Sequence, residues 1–198
     1  GICYGKTMHK DDGQLASESM LGNQASFDEL VRRYSRPLFH FCYRLTGNAA
    51  TAEDCAQESF IKAWKNLSSY DTRRGFRQWM FTIARNTTTD HLRRKKALYF
   101  SDLSRQDLPF DETVADDGPL PEDLISGLED KAAAKRLLES LPPESREIVV
   151  LHYYEDMTFE EIGSITGRPM NTVKSIHRRA VMRMRDAADA PKPHDETY

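Results

Sequence analysis

Residues 158–180 read TFEEIGSITGRPMNTVKSIHRRA, and this stretch decides the fold. Thr158, followed three residues later by Glu161, makes a capping box. The threonine oxygen takes a backbone N–H of the first turn, and the glutamate reaches back to the N–H of the cap residue. A short helix follows, with Ile162 and Ile165 turned inward. Gly167-Arg168-Pro169 then forms a turn, and Asn171 is placed to cap a second helix. That helix carries Val173, Ile176, Ala180 and Met184 on one face, at helical spacing. Two helices joined by a short glycine-containing turn describe a helix-turn-helix, whose second helix reads the major groove of DNA. The outward residues are Asn171, Thr172, Lys174, Ser175, Arg178 and Arg179, with Arg168 in the turn. Residues 168–185 hold six basic side chains and no acid.

Upstream of the motif, a helical block begins near Lys131. It carries Leu137, Leu138 and Leu141, breaks at Pro142-Pro143, and resumes with Ile148, Val149 and Leu151. Before it the composition changes. Residues 107–130 contain nine acids, no Lys or Arg, and Pro109, Gly118, Pro119 and Pro121. Such a segment reads as an extended, solvated linker.

The first half of the chain is helical again. Phe27, Leu30, Val31 and Tyr34 recur at helical spacing, and so do Leu38, Phe41, Cys42 and Leu45, with Pro37 as a break or kink between them. Gly47-Asn48 ends this region. Thr51 is expected to cap the next helix, with Glu53 and Asp54 in its first turn. Ala56, Phe60, Ala63, Trp64 and Leu67 form its inner stripe. A polar loop spans 68–75, and a further helix runs from about residue 76 to 96 with Phe76, Trp79, Met80, Ile83 and Ala84 inward. No stretch alternates long enough to make a sheet. The expected fold is all-α: two small helical domains joined by a flexible acidic linker. Its parts are a disordered extension at 1–25, a domain at 26–97, the linker at 98–130, a domain at 131–186 and a disordered tail at 187–198.

Composition bounds the function. The chain has 198 residues, a net charge of -3 and a mean hydropathy of -0.66. A negative total argues against nucleic-acid binding, but the charges are segregated. Residues 73–96 carry eight bases and one acid, the linker is acidic, and the recognition helix is basic. The distribution therefore favours DNA. Aromatics interleave with the first basic run at Phe76, Trp79 and Phe81, giving both phosphate contacts and stacking surfaces. Glu53, Asp54, Gln57 and Glu58 form an acidic face within two turns, suited to a basic partner.

Several classes drop out. No apolar run approaches membrane-span length, and residues 1–10 lack the apolar core of a secretory signal. Met8 and Met20 are candidate native starts. Cys3, Cys42 and Cys55 are unpatterned, which fits reduced thiols in a cytoplasmic protein. Asp90-His91 is an isolated pair, and no metal cluster, Gly-rich phosphate loop or Gly-x-Ser-x-Gly element occurs. Neither catalysis nor a cofactor is expected.

Three motifs in order resemble the two-domain extracytoplasmic-function group of sigma-70 RNA polymerase sigma factors. They are AEDCAQESFIKAW from Ala52, FRQWMFTIARNTTTDHLRRKK from Phe76, and LPPESREIVVLHYYEDMTFEEIGSITGRPMNTVKSIHRRA from Leu141. The resemblance implies that Asp54, Gln57 and Glu58 grip the clamp helices of the polymerase largest subunit, with the flap region as a further contact. It implies that the 70–75 loop and the following helix melt DNA and capture a flipped base of the minus-ten element. Tyr70, Arg73, Arg74, Arg77, Trp79 and Asn86 would serve there, with Arg93 and Arg94 on phosphates. The helix-turn-helix would read the minus-thirty-five element through Arg168, Asn171, Thr172, Lys174, Ser175, Arg178 and Arg179. The linker would thread toward the active-site and RNA-exit channel. An anti-sigma protein would act as regulator. One departure stands in the recognition helix: Ile176-His177 occupies positions where the family often has a basic residue followed by an apolar one. The rival readings are a stand-alone helix-turn-helix regulator, which needs no polymerase, and a helical adaptor with no effect on DNA.

Overall fold

The computed structural model describes residues 10–101 and 131–189. Among these residues every regular element is helical. They fall into two compact units. The first holds α1 (Asp12–Met20), α2 (Gln24–Thr46), α3 (Ala49–Lys65), a 3-10 turn (Leu67–Ser69) and α4 (Phe76–Ser101). The second holds α5 (Lys131–Ser140), α6 (Pro143–Tyr153), α7 (Phe159–Thr166) and α8 (Met170–Asp189). The acidic linker expected at 98–130 lies outside the described residues except for 98–101, which continue α4 as helix. The tail expected from 187 is helical to Asp189, and the rest of it lies outside the described residues.

The disordered extension expected at 1–25 is corrected by α1 over the described residues from 10 on, and residues 1–9 lie outside them. Asp11 and Gln14 close a capping box around its first turn. Leu15 and Ala16 are buried. Asp12 accepts from Arg33 Nη1 at 2.8 Å and from the Tyr34 hydroxyl, which ties α1 to α2. Burial, then the bond to Asp12, raises the Tyr34 pKa.

Pro37 does not break the chain. α2 runs through it as one helix. A mid-helix proline costs about 3 kcal/mol. Leu30, Tyr34, Leu38 and Phe41 on the same helix are all buried, and each large apolar side chain removed from water returns roughly 1.5–3 kcal/mol. Packing therefore outweighs the local penalty. Gly47 ends α2 in the left-handed conformation, at φ 68°. The cap of α3 is Asn48, not Thr51: the Asn48 side-chain oxygen accepts from the Thr51 N–H at 2.9 Å.

Phe41 and Phe81 meet edge to face at 5.2 Å in the core of the first unit. Cys42 and Cys55 are buried beside them. Thr88 Oγ1 lies 3.3 Å from Cys42 Sγ. Burial pushes the Cys42 thiol up to about 12, so it stays protonated and unreactive near neutral pH.

In the second unit, Pro143 opens α6 rather than merely interrupting the chain. Arg146 donates to the carbonyls of Leu138 at 2.9 Å and Glu139 at 2.7 Å, capping the end of α5. Ile148, Val149, Leu151, Ile162, Val173 and Met184 fill the core between α6, α7 and α8.

Candidate nucleic-acid and protein interface

Three surfaces rise from this framework. On α3, Ala52, Cys55, Ala56, Ser59 and Ala63 face inward. Glu53, Asp54, Gln57 and Glu58 are therefore left in solvent. Gln57 Nε2 donates to Glu53 Oε1 at 3.2 Å. Lys62 Nζ reaches Glu58 Oε1 at 2.9 Å and Thr87 Oγ1 on α4 at 3.1 Å. One expectation is corrected here. Trp64 is not part of the inner stripe: it is 46% exposed, and Ile61 is 53% exposed. The Trp64 ring packs at a tilt against Phe27, with ring centres 4.8 Å apart. Positions 57, 61 and 64 share one helix face, so an apolar strip extends the acidic surface. Sequence reading missed it because 63 and 64 both border the stripe, and only packing decides which turns in.

The second surface is the loop before α4 and the helix itself. The loop is shaped by its own bonds. The Asp71 carboxylate takes the Arg73 guanidinium twice at 2.9 Å and the Arg73 N–H at 3.0 Å. These bonds hold the Asp71 carboxyl down to about 2. The Tyr70 hydroxyl donates to the Arg74 carbonyl at 2.7 Å. Tyr70, Phe76 and Trp79 pack with ring centres 5.2–5.6 Å apart. Tyr70 and Phe76 are buried and Trp79 is half-buried. Tyr70 thus braces the loop from beneath, and Trp79 offers the accessible ring. Phe81 is fully buried, so the aromatic interleaving noted in the sequence belongs largely to the core. Arg74, Arg77 and Asn86 are exposed along the outer side of the loop and helix. Arg77 sits 5.6 Å over the Phe81 ring. Arg85 Nη1 donates to Asn86 Oδ1 at 3.2 Å. Arg93 and Arg94 lie exposed farther along, with Arg93 bonded to Asp90 at 3.1 Å.

The third surface is the helix-turn-helix. Thr158 and Glu161 close the expected capping box. Gly167 ends α7 at φ 70°. Gly163 is there for space: a Cβ on it would come within 2.8 Å of the Arg168 carbonyl oxygen. The Arg168 N–H donates back to the Gly163 carbonyl at 3.0 Å, which locks the turn. Asn171 does not cap α8. The Pro169 carbonyl accepts from Thr172 and Val173, and Asn171 lies within the first turn. Asn171, Thr172, Lys174, Ser175, Arg178 and Arg179 all project into solvent, while Val173, Ile176, Ala180 and Met184 are buried. The Ser175 hydroxyl donates to the Asn171 carbonyl at 2.9 Å, leaving its oxygen as an acceptor. Arg168 is paired with Glu144 at 2.9 Å.

His177 completes the departure seen in the sequence. Ile176 takes the inward site, and His177 packs at the rim against His152, Tyr153 and Phe159, 5.1–5.4 Å between ring centres. Burial, then the neighbouring His152, lowers the His177 pKa. A base whose folded pKa is depressed stabilises the fold only while neutral. That stability is fully present above the unfolded value of about 6.5 and is lost as pH falls from there through the depressed folded value. Thermal melts of the chain should therefore drop as pH falls below about 6.5, and His177→Leu should flatten that dependence. An identical pH slope in the variant would contradict the assignment.

Comparison with known proteins gives the family of the chain. The family description Sigma-70 region 2 matches residues 30–98, and Sigma-70, region 4 matches residues 137–186. The chain is 38% identical to the ECF RNA polymerase sigma factor SigW of Bacillus subtilis over 79% of its own length and 86% of that protein. It is 30% identical to the RNA polymerase sigma-H factor of Pseudomonas aeruginosa over 91% of its length and 93% of that protein. The solved structure of CnrH in complex with the cytosolic domain of CnrY shares the fold, with a TM-score of 0.67 at 24% identity, covering 91% of this chain and 99% of that one. The class defined is an all-helical transcription-initiation factor, not an enzyme. The chain belongs to the extracytoplasmic-function group of sigma-70 family RNA polymerase sigma factors.

Proposed function

We propose that this chain docks on core RNA polymerase through α3, opens and captures the minus-ten element with the 70–75 loop and α4, and reads the minus-thirty-five element with α8. The observation that carries this is the first unit, where α3 turns acid outward and α4 turns base outward from one shared core. The acidic face with Ile61 and Trp64 suits a basic partner helix with apolar side chains. The preformed loop with Trp79 and Asn86 at its margin suits an unstacked base. Asp54, Gln57 and Glu58 serve docking. Arg73, Arg74, Arg77, Trp79 and Asn86 serve melting and base capture at the minus-ten element, with Arg93 and Arg94 on phosphates and Tyr70 as the brace beneath. The exposed residues of α8 serve major-groove readout, where each good bidentate pair contributes about 1–3 kcal/mol of discrimination.

Two further roles follow from the family. The domain limits are proposed as 26–97 and 131–186, widened by α1 on the first. An anti-sigma protein is the proposed regulator, since a solved relative is the sigma factor RpoE in complex with the anti-sigma factor NepR from Bartonella quintana. Among the described residues no helix is long and apolar enough to cross a membrane, and the cytoplasm, where the polymerase works, is the proposed location.

Run-off transcription with core polymerase on a promoter library tests the whole reading. Discrete transcripts that need both the chain and core polymerase are the expected result. Tight sequence-specific duplex binding without polymerase, and no stimulated transcript, would favour the stand-alone regulator instead.

A further inference from the structure

Arg168 differs from its neighbours on the DNA-facing side of the second unit. Lys174, Arg178 and Arg179 are exposed, whereas the Arg168 side chain is 32% exposed and its Nη2 lies 2.9 Å from Glu144 Oε1. Glu144 stands in the first turn of α6, with 63% of its side chain in solvent. The Arg168 backbone cannot swing away to break this pair. Its N–H is bonded to Gly163, and its carbonyl packs where Gly163 leaves room for no side-chain atom. The guanidinium therefore swings from a fixed point at the turn of the motif, and it faces a carboxylate.

We infer that Glu144 is an internal substitute for a DNA phosphate, which sets how strongly and how salt-dependently the second unit binds duplex. The inference rests on the proposed minus-thirty-five role of the helix-turn-helix, and within it Arg168, in the turn rather than on α8, is taken as the phosphate contact. On binding, the guanidinium exchanges the carboxylate for a phosphate oxygen. The phosphate releases its condensed counterion. Glu144, left without its partner beside a polyanion, takes a cation back from solution. The two nearly cancel, so the contact adds little to the salt slope while Glu144 is present. Glu144 thereby weakens sequence-independent binding and leaves a larger share of the affinity to the base-reading side chains of α8.

The test uses the full-length chain and a short fluorescein-labelled duplex of mixed sequence, read by fluorescence anisotropy over a salt series. Glu144→Gln is expected to bind roughly two- to fivefold tighter at low salt and to steepen the slope of log affinity against log salt by about 0.9. Arg168→Gln is expected to bind more weakly, and adding Glu144→Gln to it should recover less affinity than the same change gains in the parent. If Glu144→Gln is unchanged or weaker while Arg168→Gln still loses affinity, the exchange is refuted and the phosphate contact stands. If Glu144→Gln tightens binding equally without Arg168, the effect is general charge removal and the exchange is again refuted. If Arg168→Gln binds like the parent, or the parent binds no duplex, the reading of Arg168 as a phosphate contact fails. Circular dichroism of each variant separates these outcomes from misfolding.

Discussion

A chain carrying Asp54→Lys and Glu58→Lys is expected to be lost from core polymerase in a pull-down while keeping its helical content. Both side chains stand in solvent on α3, so neither replacement disturbs the core, and the only described contact given up is the exposed ion pair of Glu58 with Lys62. The pair is also like-charged at i, i+4, a spacing that slightly destabilises a helix in either sign. The fold therefore has little at stake, and the docking surface has much. Charges of like sign brought together across an interface cost several kcal/mol, and about 3 kcal/mol already lowers affinity by roughly a hundredfold. The reversed chain should retain the duplex binding of its second unit, because that surface lies on other helices. Undiminished recovery with polymerase would sink the assignment of α3 as the docking face. Trp64→Ala, which trims the adjoining apolar strip, should give a smaller loss in the same assay.

Gly163→Ala is expected to be the most damaging small substitution in the second unit. The added methyl would sit 2.8 Å from the Arg168 carbonyl oxygen, and that oxygen belongs to backbone rather than to a side chain that can turn aside. The turn must open, and with it the position of α8 against α7. Overpacking of this kind costs about 1–3 kcal/mol. Thermal unfolding of the chain should show a lowered transition, and duplex binding should fall with it. Ser164→Ala, one residue on and exposed, is the matched control and should melt like the parent. Gly167→Ala should fall between them, because there the cost is a left-handed backbone, at φ 70°, without a clash. Equal melting of the Gly163 and Ser164 variants would show that the turn yields more easily than its geometry implies.

The helix-turn-helix was readable because its signals are local. A capping box, a left-handed glycine and a proline fall within a dozen residues, and each acts on its immediate neighbours. The features that escaped were decided at a distance. Pro37 reads as a break in any window of sequence, yet the buried face of α2 carries the helix across it. α1 has a capping box of its own at Asp11 and Gln14, but only three buried positions, too few for a periodic pattern. That box was the signal available for it. The candidate site divides in the same manner. Which residues of α8 face outward follows from helical spacing. That Trp64 turns out and that Arg168 is already occupied depend on partners far along the chain, Phe27 and Glu144, while Tyr70 supports its loop through the nearby Arg74 carbonyl, a bond that helical spacing does not announce.

Lys62 gives one last consequence. A single ammonium group spans Glu58 on α3 and Thr87 on α4, over a core in which Ala63, Ala84 and Thr88 leave no slack. The contact ties the outer face of α3 to α4, so a partner that tilts α3 acts on α4 as well. Under the proposed roles, grasping the polymerase and aiming at the DNA are a single act of alignment. Lys62→Ala, which removes this tie and frees Glu58, should therefore lower promoter opening as well as alter recovery with polymerase.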